Sequence, residues 1–436
     1  MRSLEELSWL DDAIGSARVV AIGESAHYNG ESYELRHRLL RYLVERHGFT
    51  AYAMESGFPE GWRVDDWVRG GEGDVGTVLA TGTTSLMGLW QPMRAHLEWM
   101  RQHNATAERP VGFYGVDLGG SNASLVPGLD AVLAYLGVAD PEYRVDPQLR
   151  QTAAAFGAAS PFSMQQAVGA LLSLPPATRD AMTAGLADLT ARLVGRRLAY
   201  AERTGVEAYE RVLQTMRLTV AIDSAARALT RGDQQSVMYA REAAQADTVE
   251  WILRREERIV LAAHNGHVQR WPMVMPGLPP TTSLGQHLAD RLGDDYRVIA
   301  TTTGAGETLN TEPDFYAGRL FVEQGPAEPG SLDAVLDARA DTPYADTPNA
   351  DTPYAVDLRR LSTAEESAIR AAARQRFGAF YEDLDPLAAY DVLVHLPKVT
   401  AAVPDADAVA ASPDEVQQVF AAWAARQAAG QQAAAQ

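Results

Sequence analysis

The chain contains no cysteine. That absence removes disulfides, thiolate nucleophiles, zinc–thiolate centres and iron–sulfur clusters, so any metal would have to be held by His, Asp or Glu. Lysine is nearly as scarce, with Lys398 standing alone among basic residues that are otherwise arginine. Schiff-base chemistry then has one candidate amine. No apolar run approaches the roughly 20 residues that span a bilayer. The first six residues, Met1 to Glu6, lead into acidic and polar positions rather than the apolar core of a signal peptide. These absences predict no membrane partner and a cytoplasmic location. Positive charge is also short: 38 Lys and Arg against 57 Asp and Glu give a formal charge of -19. That balance disfavours nucleic acid, because phosphate binding requires a dense basic face. Neither G-x-x-x-x-G-K-S/T nor a G-x-G-x-x-G after a strand occurs, so nucleotide phosphates lack their usual cradle and no cofactor is expected. The expected partner is a small molecule, bulky, and neutral or cationic.

What is present is a globular composition, 46% hydrophobic over 436 residues, enough for a large core and two or three lobes. Short β-rich runs at 19–22, 50–54, 111–116, 259–263, 297–302 and 392–395 alternate with helical stretches, which predicts βαβ units. Leu35, Leu39, Leu40, Leu43 and Val44 recur at helical spacing over 32–46, with Gly48 as a C-cap. Between 147 and 255 the strand signals vanish, and helical periodicity runs through 177–204, 206–229 and 234–255. The reading is an α/β fold: a mostly parallel central sheet flanked by helices, with a large helical insertion forming a lid or second lobe. The predicted organisation is a first part of the core over 1–146, the insertion over 147–256, a second part of the core over 257–404, and a C-terminal helix and tail over 405–436. Residues 341–355 repeat Asp-Thr-Pro-Tyr/Asn-Ala three times. Proline at every fifth position excludes helix and central strand there and predicts an exposed, extended loop.

The candidate site lies at the ends of the predicted strands. Glu24 and His27 follow the first, Glu55 the second, Asp117 the third, and His264 the fourth, with His267 close behind. Carboxyl ends of parallel strands open onto the crevice where α/β proteins hold ligands. A histidine with a carboxylate partner is the minimal device for activating water, because the carboxylate fixes the tautomer and stabilises the imidazolium. Glu24 and His27 supply those parts. His264 and His267 could polarise a scissile carbonyl or protonate a leaving group. Arg36, nine residues after His27, could orient Glu24 or Glu55 or hold an oxyanion. Arg241, in the last helix of the insertion, is a further supporting candidate.

Two other chemistries compete. Glu24, His27 and Glu31 read E-x-x-H-x-x-x-E, and His264 with His267 reads H-x-x-H, so a His/carboxylate metal centre is arithmetically possible, although H-E-x-x-H is missing. Ser25 is not in a G-x-S-x-G elbow, and Ser121 in Gly119-Gly120-Ser121-Asn122-Ala123 only approaches one. Trp62, Trp67 and Trp90 are core packing or the floor of a pocket for a bulky apolar substrate.

Taken in order, Ile22-Gly23-Glu24-Ser25-Ala26-His27, Glu31, Arg36, the helix running to Gly48-Phe49, Ala53-Met54-Glu55, Tyr114-Gly115-Val116-Asp117, Ala263-His264-Asn265-Gly266-His267 and Ser283-Leu284-Gly285 resemble the erythromycin esterase family. The agreement runs from about residue 16 to 404. The resemblance implies an α/β core with a helical lobe and hydrolysis of a macrolide lactone by water, without a covalent intermediate and with no general requirement for a metal. On it, His27 is the general base, and Glu24, Arg36, Glu55, His264 and His267 line the same cleft. Three departures bear on substrate. Tyr28 replaces the usual glycine beside the base, and Gln245 and Thr248 replace a methionine and an asparagine at positions expected to face the cleft. The expectation is therefore a metal-independent hydrolase of a lactone or carboxylic ester, with antibiotic resistance or natural-product biosynthesis as its setting. The alternatives are a biosynthetic enzyme using the same base for cyclisation, elimination or intramolecular transfer, a metal-dependent hydrolase, and an inactive relative that sequesters a small molecule.

Overall fold

Val19–Glu24 (β1) is buried along its whole length, as expected of an apolar run covered on both faces. In the computed structural model the described residues are 4–275, 277–340 and 352–434. Nine further strands follow: Ala51–Gly57 (β2), Gly112–Asp117 (β3), Ile259–His264 (β4), Tyr296–Leu309 (β5), Phe321–Gln324 (β6), Tyr354–Asp357 (β7), Arg374–Phe377 (β8), Phe380–Asp383 (β9) and Val392–Val399 (β10). The main sheet runs β3-β2-β4-β1-β5-β10-β7, with β6 paired to the far end of β5. Its core from β3 to β10 is parallel, and β6 and β7 are antiparallel additions. The fold is mixed α/β with a mostly parallel sheet flanked by helices.

The strand order fixes where a site can form. From β1 the chain crosses to β2 on one side of the sheet, and from β4 it crosses to β5 on the other. Neighbouring strands whose connections diverge leave a crevice at their carboxyl ends. Glu24 and His264 are direct register partners at that point, and β2 lies on the other flank of β4. Gly23 and Asn265 complete the join. A Cβ on Gly23 would overlap the Asn265 side chain, whose Nδ2 donates to the Thr301 carbonyl at 2.8 Å, so the glycine lets one amide brace three strands.

Alternating residues feed two cores, one on each face. Val19, Ala21, Ala51, Ala53 and Leu261 pack with Leu129, Leu213 and Trp251, while Val20, Ile22, Tyr52, Met54 and Val260 pack with Leu39, Leu43, Leu97 and Met100. The helix Gly30–His47 follows β1 and closes at Gly48 in the left-handed region, φ 67°, where the Phe49 N–H reaches back to the Leu43 carbonyl at 3.2 Å. Between β3 and β4 the chain is helical, with Val126–Ala139, Pro176–Gly195, Val206–Thr230 and Gln234–Leu253 as its longest elements. The last of these packs along β3 and brings Arg241 to the strand ends.

The structure adds four strands that the sequence does not announce: β6, β7, β8 and β9. Each has four residues that mix apolar with charged or polar positions, too short for an apolar run or a clear alternation. Residues 341–351 of the pentapeptide repeat lie outside the described residues. The end of its third copy is not an extended loop, because Tyr354 and Ala355 open β7. This is an edge strand, so Pro353 just before it removes no ladder bond. Among the described residues no helix is long and apolar enough to cross a membrane.

Candidate active site

Two corners make the site. At the first, β1 ends on Glu24, which is fully buried, and Oε1 of Glu24 lies 2.6 Å from His27 Nδ1. Its other oxygen pairs with Arg36 Nη1 at 3.0 Å, both side chains being 2% exposed. The helix Gly30–His47 places Arg36 beneath the strand end, where its guanidinium also covers the Tyr33 ring at 4.6 Å. Burial alone would raise the Glu24 carboxyl, but the Arg36 charge and the His27 hydrogen bond hold it below its ordinary value. Burial pulls the His27 imidazole down. The hydrogen bond to Glu24 and the charges of Glu55 and Glu24 outweigh that and hold it above 6.5. His27 remains 23% exposed and lines a cleft of about 320 Å³. With Nδ1 held by Glu24, Nε2 is the nitrogen left for chemistry.

The second corner is built from β2, β4 and the helix Gln234–Leu253. Glu55 Oε2 accepts the His264 backbone N–H at 2.8 Å, and its Oε1 meets Arg241 Nη2 at 3.0 Å and His267 Nε2 at 3.1 Å. His267 Nδ1 lies 2.8 Å from Glu242 Oε1. Desolvation disfavours a charged His267, yet the flanking Glu242 and Glu55 carboxylates push it up to about 10, so it is an imidazolium at neutral pH. Desolvation likewise opposes the Glu55 charge, and His267 and Arg241 hold that carboxyl well below its usual range. Arg241 also grips Asp117 through Nε at 3.0 Å and Nη2 at 2.5 Å. His264 is the opposite case. Its Nε2 lies 3.1 Å from the Ser25 carbonyl, and its Nδ1 accepts the Gly266 N–H at 3.1 Å. Burial and the nearby His27 lower it to about 4, so the ring is neutral with both nitrogens taken. The His264 and His27 rings stand edge to face, 5.3 Å apart.

The structure thus brings Glu24, His27, Arg36, Glu55, Asp117, Arg241, His264 and His267 to one sheet edge, and it places the remaining candidates elsewhere. Glu31 turns away from the strand ends, accepting from the Thr400 backbone N–H and hydroxyl at 2.8 Å each. Tyr28 takes a left-handed backbone, φ 67°, a conformation that glycine adopts without steric cost. Its ring stacks on Trp90 with centroids 5.4 Å apart, its hydroxyl donates to the Ser85 carbonyl, and it does not line the cleft. Gln245 and Thr248 do not face the cleft either. Gln245 is buried against Asp117, and the Thr248 hydroxyl oxygen accepts from Gln214 Nε2 at 3.1 Å on the neighbouring helix. Both follow Arg241 on the same face of the helix Gln234–Leu253, one and two turns farther along, past the stretch where Met238 and Arg241 line the cleft.

Ser121 sits in a 3-10 turn, its hydroxyl oxygen accepting the Ser85 N–H at 3.0 Å, without a strand-to-helix elbow. The tryptophans are packing residues. Trp90 is fully buried, Trp62 contacts Phe58 and Trp251 edge to face, and Trp67 lies under Arg101. Among the described residues, no group of three or more His, Asp or Glu is arranged to hold a metal ion. With Glu31 on Thr400, the E-x-x-H-x-x-x-E spacing does not converge.

Several cleft residues carry no sequence signal. Met238, Met273, Met275, Phe377, Phe380 and Glu382 form much of its wall. The loop after β4 and the β8–β9 hairpin supply five of these six, and nothing in the sequence ties those segments to His27. Glu242, the fully buried partner of His267, had a signal available in its position beside Arg241. The motif Ser283-Leu284-Gly285 serves the same corner. The Leu284 N–H donates to Glu242 Oε2 at 2.8 Å, and a Cβ on Gly285 would strike the Val268 and Gln269 carbonyls.

Comparison with known proteins fits this geometry. The erythromycin esterase family profile matches residues 44–399. Erythromycin esterase type II of Escherichia coli is 30% identical over 315 residues, 69% of this chain and 72% of the relative. Erythromycin esterase type I of Escherichia coli is 26% identical over 318 residues, 68% of this chain and 72% of the relative. Among solved structures, a mutant erythromycin esterase in its open conformation superposes with a TM-score of 0.73 at 20% identity, covering 92% of this chain and 96% of the other. The chain belongs to the erythromycin esterase family.

Proposed function

We propose that this protein hydrolyses a carboxylic ester or lactone, without a metal, by using His27 as general base on water. The observation that carries the reading is the buried Arg36–Glu24–His27 chain, 3.0 Å and 2.6 Å between successive partners. Arg36 keeps Glu24 ionised, Glu24 fixes Nδ1 as the protonated nitrogen, and Nε2 takes the proton from water as the C–O bond forms. The positive charge that develops on His27 meets a carboxylate already in place, which lowers the cost of the transition state. Arg241 and the imidazolium of His267 line the same cleft, where their charges offset those of Glu55, Asp117 and Glu242. Membership in a family named for ester hydrolysis supports the reaction class. The apolar wall of methionines and phenylalanines suits a bulky substrate of low polarity, as in a macrolide-type lactone.

Turnover in heavy-oxygen water tests the reaction. Hydrolysis places the label in the product carboxylate, whereas a cyclisation or intramolecular transfer driven by the same base leaves the product unlabelled and overturns the proposal. A His27→Ala variant with full activity would overturn the role of the base.

A further inference from the structure

Hydrolysis needs a proton for the departing alkoxide as well as a base for water, and the ionisable side chains lining the cleft are His27, Glu55, Arg241, His264, His267 and Glu382. Four of them are fully engaged. Both oxygens of Glu55 and both nitrogens of His267 are held, both nitrogens of His264 are held by backbone, and Arg241 is clamped to Asp117 and Glu55. Glu382 is different. It lies on β9 with the residue 2% exposed, and its two oxygens are unequal. Oε1 accepts from Gln269 Nε2 at 3.0 Å and from the Val274 N–H at 3.1 Å, while Oε2 is buried and has no hydrogen-bond partner. A carboxylate would leave a charged oxygen unsolvated there, whereas a carboxylic acid puts its carbonyl oxygen on the two donors and its hydroxyl on the free side.

Resting on the hydrolase reading, we infer that Glu382 is the proton donor to the leaving group, paired with His27 as base. His27 Nε2 takes one proton from water and the resulting hydroxide adds to the carbonyl carbon. As the tetrahedral intermediate collapses, the bond from carbon to the alkoxy oxygen breaks, and that oxygen takes the proton from Glu382 Oε2. The products are an alcohol and a carboxylic acid, which gives its proton to water and leaves as the carboxylate; His27 releases its proton to water and Glu382 recovers one from water. Burial, assisted by the adjacent Asp383 and opposed by Gln269 and Val274, raises Glu382 to about 7. An acid and a base poised near neutrality in one cleft are the pairing that general acid–base catalysis uses. The hairpin carries the group to the site, since the Phe377 ring lies 5.3 Å from His264 and Phe377 pairs with Phe380 across the turn.

The test uses esters that share one acyl group and differ in leaving group, from p-nitrophenyl butyrate to ethyl butyrate. Glu382→Gln keeps the Oε1 acceptor for Gln269 and Val274, so the hairpin anchor survives. We expect it to lose about 10²-fold in kcat on the ethyl ester, the scale of general acid catalysis, and less than about 3-fold on the p-nitrophenyl ester, whose leaving group needs no proton. Equal losses on both, or none on either, would overturn the donor role. In the wild-type enzyme, kcat across the series should depend only weakly on the leaving-group pKa, and a steep dependence would overturn it without any variant. Wild-type inactivity on every ester would instead overturn the hydrolase reading.

Discussion

The three histidines at the strand ends occupy one edge of one sheet, within a few residues of their strands, and yet carry different protons. His27 has one carboxylate on Nδ1 and an open Nε2. His267 has a carboxylate on each nitrogen and is charged. His264 has backbone groups on both and is neutral. A base must exchange its proton in every cycle, so only the half-satisfied ring suits that role. The doubly paired ring is a fixed cation, and the backbone-bound ring is a strut that joins β4 to the end of β1. Residue type and position are shared, and the partner set decides the function.

The largest effect that would break this contrast is loss of the open ring. His27→Ala should lower kcat/KM by about 10²–10⁴-fold, the range for general-base catalysis, with only a small fall in melting temperature, because Glu24 loses the partner of one oxygen but keeps Arg36 on the other. Initial rates with calorimetry check both halves. Next in size, His267→Gln should destabilise the fold by about 3–5 kcal/mol, because Glu242 would be left as a buried charge without its cation and Glu55 would keep only Arg241. Denaturant titration measures it.

Glu24→Gln should shift the acid limb of kcat/KM. His27 is active when neutral, so activity in the wild type rises with pH through a value above 6.5. Without the Glu24 charge that limb should move to lower pH, and a profile that stays in place would show that Glu24 does not set the base. The last effects are in stability against pH, where the two closed rings act in opposite directions. His267 has a folded value raised from 6.5 to about 10, so its contribution is complete below 6.5 and is lost as pH rises toward 10. His264 is lowered from 6.5 to about 4, so its contribution is present above 6.5 and is lost as pH falls toward 4. Each is worth at most about 1.4 kcal/mol per pH unit within its window. Urea midpoints of His264→Asn should lack the acid-side loss while keeping the alkaline one.

Much of this was readable in one dimension. The run Val19–Ile22 reads as a strand buried on both faces, and the carboxylates and imidazoles after four such strands emerge on a common edge once the sheet is parallel. The spacing of Glu24, His27 and Arg36 follows from one strand end and the first turns of one helix, so local geometry suffices. Glu382 was out of reach, because β8 and β9 are short, polar in pattern, and about 350 positions from His27 in the chain. Glu31 shows the converse error. It stands one helical turn from His27 in sequence, and Thr400 on β10's trailing end claims it. Gln245 failed in the same way, since it shares Arg241's helix face one turn farther along, and a periodicity does not say where along a helix a cleft ends.

The sequence by itself determined the parallel α/β core, the helical region between β3 and β4, and the set of acids, bases and arginines at the strand ends, because strand and helix patterns are written by the solvent-exposure period of neighbouring residues. The tertiary structure alone decided which histidine keeps a free nitrogen, which is a permanent cation and which is neutral. Those states depend on the count and sign of buried partners within about 3 Å, and the partners Glu242, Ser25 and Glu55 come from segments that only folding brings together.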